Sequence, residues 1–181
     1  MDFGCGSGRN TRAMAEMGFD ICAMDYNPAC IELTKQKLGV YKRIEYVVNE
    51  ELSVKASKNA FDAVVANGVL FYLNRVNEQK LLEELSRALK MGGIMHADYR
   101  SKDDVLYGKE KEIEPVFFEL DAACGSLAGI QYAFRTEEEI KNLYLRNKFE
   151  IINFERIDHY VKNYTERNSQ YIVWTKKVGK I

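Results

Sequence analysis

The chain opens on Met1-Asp2-Phe3-Gly4-Cys5-Gly6-Ser7-Gly8. An acid closes a short apolar stub, and glycines follow at every second position. A helix-like run, Arg12-Ala13-Met14-Ala15-Glu16-Met17, comes at once and is stopped by Gly18. An apolar strand, Ile21-Cys22-Ala23-Met24, then ends in Asp25. Strand, glycine turn, helix, strand, acid is the pattern of the first half of a nucleotide-binding α/β unit.

The residue types fit that use. Glycine tolerates positive φ and lets a ligand lie against bare backbone. The N–H groups that open the following helix point into the same space. Asp25 falls where a carboxylate accepts two hydrogen bonds from a ribose diol, each worth roughly 1.5–3 kcal/mol when charge-assisted. A dinucleotide site prefers G-x-G-x-x-G, with a pyrophosphate on the helix N-terminus. Here the spacing is G-x-G-x-G and Asp2 lies just upstream. A carboxylate there repels a pyrophosphate and suits a ligand with an ammonium and a sulfonium, such as S-adenosylmethionine. A glycine turn in some other α/β protein is the plainer alternative. The acid before, the spacing within and the acid after argue together against it, and against an NAD-linked dehydrogenase.

On these residues the chain resembles the class I S-adenosylmethionine-dependent methyltransferases. Asp2 to Gly8 is similar to their first motif, and Met24-Asp25-Tyr26-Asn27 to their second. Gly6-Ser7-Gly8-Arg9-Asn10-Thr11, with Gly18 and Asp25, resembles the small tellurite-resistance-type branch.

At 181 residues the chain is long enough for one domain with a real core. Net charge is −1, so no electrostatic footprint for nucleic acid is present. The four cysteines (5, 22, 30 and 124) form no C-x-x-C pair, and His96 and His159 lie far apart. That excludes zinc spacing and argues against a disulfide framework. No signal peptide or apolar run of membrane-spanning length is visible, so the expected setting is a reducing cytoplasm.

The rest of the chain continues the alternation. Asn27 caps a helix with Pro28 just inside it, running to about Leu38 and ended by Gly39. Ile44–Val48 reads as the third strand and Phe61–Ala66 as the fourth, short and β-branched as a central parallel strand should be. Asn77 to Lys90 reads as a helix, with Leu81, Leu82, Leu85 and Leu89 at helical spacing. Met91-Gly92-Gly93 should stop it, and Ile94–Tyr99 should be the fifth strand. From Arg100 to Arg135 no clean alternation remains, but aromatics are frequent; such a stretch reads as an acceptor-side insertion or lid. Thr136-Glu137-Glu138-Glu139 is a capping box opening a helix to about Arg146. Phe149–Arg156 and Gln170–Lys176 read as a closing hairpin.

The expected fold class is therefore α/β, one domain over residues 1–181, doubly wound and Rossmann-like. The resemblance implies a mostly parallel seven-stranded sheet in the order 3-2-1-4-5-7-6, with strand 7 antiparallel. Ligands in such sheets bind at the carboxyl ends where strand order switches, here between strands 1 and 4. The family's first strand has more residues before the acid, and helices before those. Here Met1 precedes Asp2 directly, so the first strand reads as truncated. That implies an open site, weak activity and, as one remedy, a homodimer.

The resemblance implies cofactor contacts from Asp2, Gly4, Cys5, Gly6, Gly8 and Arg9 in the first motif and from Asp25 and Tyr26 in the second. It implies more from Glu51 and Leu52 after strand 3, and from Asn67 and Gly68 after strand 4. For Glu51 and Leu52 a solvated loop is the competing reading, and for Asn67-Gly68 a simple turn. Tyr72, Tyr99 and Arg100, at the carboxyl ends of strands 4 and 5, are the acceptor-side candidates, against mere packing of the tyrosines. His96 reads as a core histidine; an approach of His159 to the site from the last loop is the lesser alternative for that residue. The function so implied is direct in-line transfer of a methyl group from S-adenosylmethionine to a small-molecule oxygen or nitrogen. Alignment and water exclusion can supply roughly 7–11 kcal/mol of such a barrier. No N-P-P-Y motif follows strand 4, which argues against adenine or glutamine amide methylation. The alternative is a weakly active or inactive domain that binds cofactor or a partner.

Overall fold

The glycine loop joins a two-residue strand to the first helix. In the computed structural model, which describes residues 1–50, 52–163 and 165–179, β1 (Asp2–Phe3) lies between β2 (Ile21–Asp25) and β4 (Phe61–Ala66). It is parallel to both, with Asp2 opposite Ala23 on one side and Val65 on the other. Beyond β2 stands β3 (Ile44–Val48), and beyond β4 stands β5 (Leu89–Ser101), both parallel. A hairpin, β9 (Phe149–Val161) and β10 (Glu166–Lys177), completes the sheet, with β10 antiparallel to β5. The order β3-β2-β1-β4-β5-β10-β9 is the expected one, with the last strand of the chain reversed.

Local chemistry sets the helices. The Asn27 side chain accepts the Ala29 N–H at the start of α2 (Pro28–Leu38), and Pro28 occupies the first turn, where no amide is needed. Thr136 and Glu139 form a reciprocal capping box on α4 (Glu137–Arg146). The helix α3 (Arg75–Ala88) is capped by Asn74 and turns Leu81, Leu82 and Leu85 onto the sheet. Each of these leucines is fully buried, worth roughly 1.5–3 kcal/mol apiece. They join Val64, Ala66, Met95, Ala97 and Tyr99 in the main core on one face of the sheet. On the other face, α1 (Arg9–Glu16) and α2 cover β2 and β3.

Two expectations need revising. The α3 helix stops at Ala88, and β5 begins at Leu89 rather than Ile94. Leu89 pairs with Phe61, and the ladder then skips before Ile94 meets Ala63. Gly92, at φ +77°, sits in that irregularity, so the glycine pair breaks the register of a strand rather than separating helix from strand. Residues 100–135 also carry regular structure: β6 (Glu110–Glu114), β7 (Phe117–Leu120) and β8 (Gln131–Arg135) form an antiparallel meander. The strand β8 joins β5 in parallel at Arg100 and Ser101, beyond Ala97, where β4 ends its pairing. The meander thus stands over the carboxyl end of β4, around a second apolar cluster of Phe71, Phe118, Leu120, Tyr132 and Phe134. Among the described residues, no helix is long and apolar enough to cross a membrane.

Candidate functional site

The site lies where strand order switches, between the ends of β1 and β4. The loop leaving β1 is pinned from below, because the amides of Gly4 and Cys5 both donate to the Met24 carbonyl, at 2.8 and 2.9 Å. It then curls so that the Gly8 amide donates to the Cys5 carbonyl at 2.9 Å, and Gly8 opens α1 with no side-chain cap. Asp25, at the end of β2, accepts the amides of Gly6 (2.8 Å) and Asn27 (2.9 Å) on its two oxygens. Thr34 of α2 donates to the Gly6 carbonyl at 2.8 Å.

Gly6 has φ +54°, and a Cβ built on it would have nothing within 4 Å. Gly68, on the other side of the switch, has φ +69° and the same empty surroundings. Two bare stretches of backbone therefore border the cleft, in a conformation that side chains disfavour.

The acids at this point are buried. Asp2 is 1% exposed; Thr11 of α1 donates to its Oδ2, and its Oδ1 has no partner. Burial pushes its carboxyl above the ordinary aspartate range, against the opposing hydrogen bond from Thr11. The Asn67 Oδ1, just past β4, is likewise buried without a donor. These two orphaned acceptor oxygens suit a ligand that brings N–H donors and positive charge.

The remaining predicted cofactor residues are dispersed around this core. The Cys5 side chain faces away, packed with Ile21, Ala23 and Ile31, and burial pushes its thiol up to about 12. Only its backbone belongs to the loop. Arg9 is exposed at the first position of α1, and Tyr26 is 74% exposed at the rim beyond Asp25. Leu52 is half-buried and packs on the main core. Glu51 lies outside the described residues.

Of the residues expected on the acceptor side, Tyr72 lies in the short 3-10 turn Leu70–Tyr72, half-exposed. Its ring centroid lies 4.6 Å from that of Phe71 and 5.1 Å from that of Tyr132 in β8. Burial and the neighbouring Tyr132 hydroxyl push its phenol up to about 12. The Arg100 guanidinium stacks 5.5 Å from the Phe71 ring centroid and 5.3 Å from that of Tyr132. It also donates to Asp104 at 3.0 Å, while its Nε is buried without a partner. His159 lies within β9 opposite Asn168 rather than in a loop, and shares a cavity of about 280 Å³ with Arg100, Asn168, Ser169 and Gln170. His96 stacks on Trp174 at 4.3 Å.

Tyr99 leaves the candidate set. It alternates to the opposite face from Asp98 and Arg100, is 1% exposed, and donates its hydroxyl to Tyr144 of α4 at 2.8 Å. Sequence reasoning also missed Asp98, Thr11 and Thr34. Asp98 is 9% exposed and accepts the Gly68 amide at 2.7 Å. Its alternation with His96 and Arg100 near the end of strand 5 was the available signal. A cavity of about 730 Å³ lies at the other end of the sheet, between the amino ends of β2 and β4, away from all these groups.

Residues 1–97 match the methyltransferase domain family, which covers both strands of the switch point. A demethylmenaquinone methyltransferase of Clavibacter sepedonicus is 31% identical over 93 residues, 51% of this chain and 37% of that protein. A Haemophilus influenzae protein named "Probable S-adenosyl-L-methionine-dependent methyltransferase TehB" is 27% identical over 109 residues, 58% of this chain and 37% of that protein. The chain thus spans 37% of the length of each of these two curated relatives. A solved SAM-dependent methyltransferase from Methanosarcina mazei superposes with a TM-score of 0.83 at 20% identity, over 98% of this chain and 91% of that one, so the fold is shared from end to end. The match over residues 1–97 makes this chain a member of the methyltransferase domain family.

Proposed function

We propose that this protein transfers a methyl group from S-adenosylmethionine to a small-molecule acceptor. The observation that carries the reading is the pair of orphaned oxygens, Asp2 Oδ1 and Asn67 Oδ1, at the two sides of the switch point. They supply hydrogen-bond acceptors for the ammonium of a methionine moiety. A pyrophosphate would leave them unsatisfied and repelled. Asp25, held by two backbone amides, is oriented for a ribose diol. Gly6 and Gly68 leave room for the ligand between them. The bound cofactor supplies the electrophilic methyl; the protein's work is to orient both partners and exclude water.

The acceptor side is formed by the end of β5 and the β6–β8 meander, which we read as its cover. Arg100, sandwiched by Phe71 and Tyr132, and Tyr72 line it. The names of the relatives support a small acceptor: one carries demethylmenaquinone in its name. Four cysteines outside any disulfide suit a reducing, cytoplasmic setting, and sedimentation equilibrium tests for a homodimer.

The test is calorimetric titration with S-adenosylhomocysteine and with NAD, followed by transfer of labelled methyl to a panel of small phenols, amines and quinols. Saturable binding of the sulfur ligand and not of NAD is expected, with label in at least one acceptor. Saturation by NAD alone would sink the reading. Cofactor binding with no transfer to any acceptor would favour the binding-only alternative.

A further inference from the structure

We propose that Asp98 is the proton acceptor of the transfer, a catalytic carboxylate beside the point where the methyl group changes hands. The inference rests on the reading above and supplies the base which that reading lacks.

Strand register places it. Asp2 of β1 stands opposite Val65 of β4, and Val65 opposite His96 of β5. Asp98 stands two residues beyond His96 in β5, where it pairs with Ile172 of β10, and Asn67, with its orphaned Oδ1, directly follows the last residue of β4. The Gly68 amide donates to Asp98 Oδ1 at 2.7 Å, which ties the ends of β4 and β5 together and fixes the carboxyl plane. Gly68 has no side chain to fill the adjoining space, and a Cβ there would touch nothing. The Gly68 contact on Oδ1 leaves the second carboxyl oxygen, Oδ2, as the one we assign to the acceptor.

The groups that act on Asp98 come from four elements. Arg9 of α1 and Arg100 of β5 favour its charge; Tyr72 of the 3-10 turn and Tyr144 of α4 couple to it across the cleft and the core. Burial outweighs the two arginines and raises its proton affinity above that of an ordinary aspartate. A carboxylate of raised basicity is what general-base work requires.

The step balances. A lone pair on the acceptor oxygen or nitrogen forms the new bond to the methyl carbon. The sulfur–methyl bond breaks and its electron pair stays on sulfur, giving a neutral sulfide. The acceptor's proton passes to Asp98 Oδ2, giving a neutral carboxylic acid that re-ionises to water on product release.

The experiment compares two ligands on the whole chain. Sinefungin carries an ammonium where S-adenosylmethionine carries its methyl sulfonium; S-adenosylhomocysteine carries nothing there. Calorimetry of the parent protein should show sinefungin preferred at least tenfold, with the preference fading as pH falls through the Asp98 titration. In Asp98→Asn, which keeps an oxygen for Gly68, the preference should vanish while homocysteine-ligand affinity stays within threefold. Carbon-13 NMR of the Asp98 carboxyl should give a midpoint above about 3.9, the value of free aspartate. An unchanged preference in Asp98→Asn, a pH-independent preference in the parent, or a midpoint at or below that value overturns the assignment. If the parent binds neither ligand, the cofactor reading itself has failed and Asp98 loses its role with it. The pH dependence of the parent needs no variant, so a misfolded Asp98→Asn leaves the test standing.

Discussion

Asp25 accepts the amide of Gly6 at 2.8 Å, so the acid that ends the second strand also shapes the middle of the glycine loop. The same carboxylate takes the Asn27 amide at 2.9 Å and so fixes the entry to α2. On the proposed reading, ligand recognition and loop conformation share one side chain. Asp25→Ala should weaken binding of S-adenosylhomocysteine by about 2–4 kcal/mol, the loss of two charge-assisted bonds. It should also lower the melting temperature, because two loop amides lose their acceptor. Calorimetry and thermal melts on the same sample separate the two effects; parental affinity in the variant would remove Asp25 from the ribose.

Gly6 and Gly68 make a sharper steric prediction. An alanine at either has free space in the unliganded protein, so its cost to folding is only that of positive φ, about 1–2 kcal/mol. That corresponds to a fall of roughly 2–8 °C in melting temperature for a chain of this size. The methyl group would nevertheless project into the cleft. Gly6→Ala should cost at least about tenfold in cofactor affinity, or roughly 1.4 kcal/mol. Retention of full affinity would mean that the ligand does not lie against this backbone.

Asp2 predicts a conflict between stability and function that depends on pH. Its folded carboxyl is raised by burial, so the native state binds the proton more tightly than the unfolded chain does. Stability is then lost as pH rises from the unfolded value, about 3.9, through the folded one. Asp2→Asn removes that loss. The variant should melt higher than the parent at neutral pH, and the gain should shrink to nothing below about pH 4, the unfolded carboxyl's range. Cofactor affinity should fall at the same time. A variant that melts lower at every pH would contradict this account of Asp2.

Glu78 of α3 and Arg135 of β8 form an ion pair in which both side chains are almost wholly buried. Removing one partner leaves an uncompensated buried charge, which costs about 3–5 kcal/mol. Glu78→Ala should show that loss in urea unfolding. The double variant Glu78→Leu with Arg135→Met should recover most of it, since replacing both partners removes both desolvation penalties. Equal destabilisation of single and double variants would argue that the pair itself is stabilising.

The glycine loop and the helix starts were largely legible because their signals are local. Glycine spacing, the Asn27 cap with Pro28 and the Thr136 capping box each depend on a few neighbouring residues, and those elements lie where periodicity puts them. The β6–β8 meander, proposed to cover the acceptor, was not legible, for a physical reason. Its strands β6, β7 and β8 are only four or five residues long and gain their stability from aromatic packing across the meander, which leaves no local period. The Gly92-Gly93 pair misled because a register shift against β4 looks, in sequence, like a helix stop. Tyr99 misled because a strand gives alternate residues to opposite faces, and its neighbours Asp98 and Arg100 took the cleft.

The β8 strand is attached to β5 by two residue pairs, Arg100 with Phe134 and Ser101 with Arg135. The panel of residues between them is also held by the Glu78–Arg135 contact beneath and by the β9–β10 hairpin, where the Ser169 amide donates to Asp104 and Arg156 and Arg167 pair with Asp103. Mutational drift within the panel leaves the Asp2–Asp25 machinery untouched, because neither its ladder nor its loop passes through residues 102–133. On the proposed reading, descendants of such a chain can change the acceptor by rewriting this panel while inheriting the cofactor side intact.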